Sequence, residues 1–114
     1  MKLDAIKLKA DEIFFLQEYL QPVYDITLLE FQRLGQEKKL KYSVMFDVAR
    51  LVSTKRRLIE QRSTVFDTKK KYHISLKYHE IFLLLNFLQE LELDDSHAQM
   101  LQRSLVASLD FALQ

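Results

Sequence analysis

Apolar and polar residues alternate from Leu3 to Lys9 and again from Tyr72 to Lys77, the two-residue period of a half-buried strand. That period puts Ile6 and Leu8 on one face and Lys7 and Lys9 on the other. Two such strands are expected to pair, because an isolated strand leaves its amides and carbonyls unmatched. Each strand leads into a segment whose apolar side chains surround a helix instead of marking one stripe. The first carries Ile13, Phe14, Phe15, Leu16, Tyr19 and Leu20, with Asp11 as its expected cap and Pro22 as its terminator. The second, from about His79 to Leu91, is more apolar still. Helices of this kind must be nearly engulfed, so the two are expected at the centre of the fold.

A helix from Thr27 places Leu28, Leu29, Phe31 and Leu34 on one side. Beyond it, Leu40, Val44, Val48, Leu51, Val52, Leu58 and Ile59 form a stripe in roughly the opposite direction. One straight helix could not bury both. The break is expected at Gly35, in the left-handed position that follows a helix, with a third helix starting between Glu37 and Leu40 and running towards Arg62. Unbroken, that helix would span the molecule or protrude from it; Ser53-Thr54 is the candidate interruption. Residues 63 to 71 lose apolar periodicity and read as a connector. A last helix, from Ser96 or His97 to Leu113, carries Leu101, Leu105, Leu109 and Ala112 on one stripe.

Residues 6 to 21 align without gaps to residues 74 to 89, with nine of sixteen positions identical. The matches include Glu12 with Glu80, Ile13 with Ile81, Phe14 with Phe82 and Leu16 with Leu84. After one extra residue, Thr27-x-x-Glu30 falls opposite Ser96-x-x-Gln99, and both fit a capping box. A leucine-rich chain would give a couple of such identities by chance. The expected architecture is mainly α: one domain over residues 1 to 114, with about five helices built on a duplicated strand-helix-helix unit. The repeats cover about 3 to 34 and 72 to 113 and are joined by a basic helical segment over about 37 to 71. The short strands, about 3 to 9 and 72 to 77, are expected as a pair.

At 114 residues and 48% hydrophobic composition the chain can bury a core without metal or disulfide. With no cysteine it has no disulfide, thiolate metal site or cysteine nucleophile. No apolar run is long enough to cross a bilayer, and Met1 to Lys7 alternates charge where a signal peptide needs an apolar stretch. A cytoplasmic location without a membrane partner is the expectation.

The net charge of +1 hides a partition. Residues 1 to 32 have three basic and six acidic side chains, −3; residues 33 to 77 have thirteen and four, +9; residues 78 to 114 have one and six, −5. The basic middle contains Lys38, Lys39, Lys41, Lys55, Arg56, Arg57, Arg62, Lys69, Lys70 and Lys71, a candidate surface for a polyanion or an acidic partner. The plainer interpretation is a solvated helix face balanced by acidic termini, and a sequence pI of 7.9 favours it. The same charges could instead orient one copy of the chain against another.

Catalytic motifs are absent from the sequence. His73, His79 and His97 have no recognised metal spacing, and Asp94-Asp95 precedes a helix, where capping explains it. One glycine in the whole chain excludes a phosphate-cradling glycine loop. The expected role is therefore a small non-catalytic interaction, scaffold or regulatory domain that can self-associate, with no cofactor and no small-molecule ligand. The alternative is nucleic-acid association through residues 33 to 77.

Overall fold

A computed structural model describes residues 3 to 61 and 70 to 114. In chain order the elements are β1 (Leu3–Lys9), α1 (Ala10–Tyr19), α2 (Gln21–Asp25), α3 (Leu28–Gln32), α4 (Gln36–Glu60), β2 (Lys71–Lys77), α5 (Tyr78–Glu90) and α6 (Ser96–Leu113). The fold is mainly α with one two-stranded antiparallel sheet, as the sequence pattern implies. There are six helices among the described residues instead of about five, because the stretch between Leu20 and Gly35 folds as two single-turn helices.

The strands pair with Ile6 opposite Ile74 and Leu8 opposite Tyr72. Alternation buries Ile6, Leu8, Tyr72, Ile74 and Leu76 beneath the sheet. Each strand passes straight into its helix, with Lys9 and Lys77 as extended N-cap residues of nearly equal backbone angles, φ −78°, ψ 161° and φ −76°, ψ 158°. Three residues into each helix stands a glutamate. Glu12 Oε1 accepts from the Lys9 amide at 3.0 Å, and Glu80 Oε1 from the Lys77 amide at 2.7 Å. Both carboxylates are buried. Asp11, expected as the cap, lies exposed in the first turn instead, where its charge suits the positive end of the helix. The strand's own last residue occupies the capping position, which displaces the boundary by two residues.

Pro22 does not end α1 by removing a donor. The helix closes at Leu20, and Pro22 sits in the first turn of α2, where a missing N–H costs nothing. Thr27 caps α3 as expected, its Oγ1 accepting from the Glu30 amide at 3.1 Å. Asp95, not Ser96, caps α6, its Oδ2 accepting from the Ala98 amide at 2.9 Å. A carboxylate is the stronger acceptor at a positive helix end. Gly35 marks the expected break but not in the expected conformation: it is extended at φ −66°, ψ 162°, as the N-cap of α4, and no glycine has positive φ.

The helix α4 runs without interruption through Ser53-Thr54. At 1.5 Å per residue its 25 residues span about 37 Å, most of the 43 Å long dimension of the molecule. Its buried side chains are Met45, Val48, Ala49, Val52 and Ile59. The stripe expected from sequence is thus rotated: Val48, Val52 and Ile59 are covered, whereas Leu40, Leu51 and Leu58 are exposed. Ala49 and Met45 take their place: the Ala49 carbonyl accepts from the Tyr24 hydroxyl of α2, and Met45 lines a cleft with Pro22 and Val23 of α2 and Leu83 and Phe87 of α5.

The core elements pack in matched pairs. α1 lies on α4 as α5 lies on α6; α6 touches α1 as α4 touches α5; and α6 packs on β1 as α4 packs on β2. By position α4, not α3, is therefore the counterpart of α6. The sequence alignment set Thr27–Glu30 against Ser96–Gln99, but α3 is one turn long and buries no residue, so it cannot play the part of the 18-residue α6. The expected α6 stripe holds, with Leu101, Leu105 and Leu109 buried and Ala112 partly so. Its Gln102 Nε2 donates to the carbonyls of Leu88 and Leu91, satisfying the end of α5.

Candidate interaction surfaces

The basic residues picked out by the sequence on α4 fall into two groups. Lys38, Lys39 and Lys41 lie in its first two turns and Lys55, Arg56 and Arg57 near its end, so the gap from Lys41 to Lys55 is about 21 Å along the axis. At 100° per residue Lys38 and Lys41 lie about 60° apart on one side of the helix and Lys39 on another, while Lys55, Arg56 and Arg57 fan out around it. Lys38 and Lys41 border an open, mainly apolar cleft of about 350 Å³ beside Met45, Leu83, Phe87 and Glu90. The Arg56 guanidinium lies 4.9 Å over the Phe14 ring, and its Nε donates to Glu60 at 2.9 Å. Arg57 is exposed, while Lys39 and Lys55 are half-buried.

Lys70 precedes β2 with its Nζ 5.4 Å from the centre of the Tyr72 ring, and Lys71 is the first residue of the strand. Arg62 and Lys69 lie outside the described residues. The sheet adds cations that the segment sums concealed. Lys7, Lys9 and Lys77 join Lys71 on its outward face, beside His73, and all five residues are exposed. Lys7 and Lys9 were hidden because residues 1 to 32 are acidic in total; the strand alternation in that stretch was the available signal.

A second surface is apolar. The helix α3 places Leu28 and Leu29 at 73% and 57% exposure, and Leu40 at the start of α4 is 67% exposed. Between α3 and α4 runs a groove bordered by Ile26, Leu28, Phe31, Tyr42 and Phe46. The four residues expected to form the buried side of this helix thus supply no buried residue: Leu28 and Leu29 face water, and Phe31 and Leu34 are half-covered.

Among the described residues no group of three or more histidine, cysteine or carboxylate side chains is placed to hold a metal ion. No helix among them is long and apolar enough to cross a membrane. His73, His79 and His97 are scattered over β2, α5 and α6, and Asp95 is a helix cap. Comparison with known protein families, with curated proteins and with solved structures finds no match to this chain.

Proposed function

We propose that the protein is a non-catalytic interaction module that docks a second copy of itself through α3 and the adjoining flank of α4. One observation carries this reading: α3 is a helix of sequence LLEFQ in which no residue is buried. Covering a leucine fully is worth about 1.5–3 kcal/mol, so leaving Leu28 and Leu29 in water forgoes stability that an interface would recover. A two-fold contact through this patch sets α4 of one copy near α4 of the other, so the basic residues of α4 oppose the contact and added salt should favour it. The matched packing of β1, α1 and α4 with β2, α5 and α6 also supports an origin by internal duplication.

Light scattering over a concentration series tests the docking. The expected result is a mass that climbs from 13.6 kDa towards twice that value, and a Leu28→Glu/Leu29→Glu variant that stays at 13.6 kDa. Because α3 contributes nothing to the core, the variant should keep the parent's thermal midpoint. A parent chain that remains monomeric at millimolar concentration overturns the proposal.

A further inference from the structure

The outward face of the β1–β2 sheet carries a concentration of positive charge that folding does not require. From residues 5 to 9 and 71 to 77, its positions are Ala5, Lys7, Lys9, Lys71, His73, Ser75 and Lys77, and all are exposed. The register sets Lys9 opposite Lys71 and Lys7 opposite His73. Like charges directly opposed weaken a strand pair. No carboxylate stands among these seven positions, and the one ion pair among the described residues, Arg56 with Glu60, is elsewhere.

Polar groups continue the face on both sides. Towards α4, Arg50, Thr54, Ser75 and Lys77 border a groove that also contains Asp47 and Glu80, the latter engaged by the Lys77 amide. Towards α6, Lys7 and Lys71 border another with Ser108 and the exposed Phe111. Lysine ammonium and serine or threonine hydroxyl groups are the donors that phosphate oxygens accept from.

We propose that this face binds the phosphate backbone of duplex DNA without reading its sequence. The seven strand positions carry no phenylalanine, tyrosine or tryptophan, and the exposed Phe111 ring beside Lys7 and Lys71 stands alone, short of the succession of rings on which unstacked bases lie, which disfavours single strands. The exposed apolar neighbours of the face are Phe111 towards α6 and Leu51 towards α4, one on each flank, which is less than the continuous apolar helix face that lies in a lipid surface. The site differs from the basic segment on α4: it needs the strand pairing that brings Lys7 and Lys9 beside Lys71 and Lys77.

Binding of the full chain to a fluorescent DNA duplex, measured by anisotropy across a salt series, tests the assignment. Four lysine–phosphate contacts give a log–log salt slope of about −3.6, a loss of about 10²-fold in affinity between about 50 and 200 mM salt. Lys9→Gln/Lys71→Gln should lower the slope by about 2 while leaving the thermal midpoint equal or higher, because an opposed like-charge pair is removed. Lys38→Gln/Lys41→Gln, on the cleft beside α5, should leave binding unchanged. Absence of binding at low salt overturns the proposal, as does equal weakening by the two double variants. Tighter binding to single-stranded DNA, to phosphatidylserine vesicles or to polyglutamate than to the duplex also overturns it.

Discussion

The two strand–helix units, β1–α1 and β2–α5, start alike and end differently. Both turn from strand to helix at a lysine cap, and both place a buried glutamate carboxylate on that lysine's amide. Yet α1 leaves only Asp11 and Glu18 exposed, whereas α5 presents Tyr78 and Phe82 to solvent. The difference comes from the segment that succeeds each helix. After α1 the chain makes the short helix α2, which folds back with Val23 buried and packs on both α1 and α4; after α5 it passes directly to α6. Similar local sequence thus yields similar local geometry, while burial depends on neighbours supplied by other parts of the chain.

Removing core side chains at aligned positions is the severest test of this comparison. Leu16 and Leu84 are each 1% exposed, so Leu16→Ala and Leu84→Ala should each cost about 2–5 kcal/mol by urea unfolding. A cost below about 1 kcal/mol at either site would break the picture of two helices sharing one core. The glutamates should then separate the units. Glu12 Oε2 also accepts from the Ser104 hydroxyl at 3.0 Å, tying α1 to α6. Glu12→Ala should cost about 1–2 kcal/mol, and Ser104→Ala should matter only while Glu12 is present. A double-mutant cycle with no coupling would remove this tie.

The smallest effect concerns α2, which like α3 has no counterpart in the other unit. The Tyr24 hydroxyl donates to the Ala49 carbonyl, fastening α2 to α4. Burial raises its pKa above the usual 10.0, and a hydrogen bond with Ser53 partly offsets the rise. Above about pH 10 the unfolded chain releases this proton while the folded chain retains it, so the unfolded state binds fewer protons and stability falls as pH rises. Tyr24→Phe should cost about 1 kcal/mol at neutral pH and flatten that alkaline decline in thermal unfolding. A decline as steep as the parent's would assign it to other groups.

Much of this architecture is legible along the chain. Alternation located both strands, all-round apolarity marked α1 as engulfed, and the opposed stripes on either side of Gly35 required a break there. The candidate surfaces were less legible. Lys38 and Arg57 belong to one basic segment by composition, but a rigid helix holds them about 28 Å apart. Lys9 and Lys71 are 62 residues apart in sequence and directly opposite in the sheet. The Leu40–Leu51–Leu58 side of α4 reads as core in a helical projection, because periodicity reports how wide an apolar stripe is and not how much of it other elements reach.

The order of apolar and polar residues alone determined where the strands and the main helices form, since each depends on a period, a cap or a break within a few neighbouring residues. Which apolar side chains stay in water and which cations meet was decided by tertiary packing. Those outcomes rest on distances between segments far apart in the chain, and no local period encodes such distances.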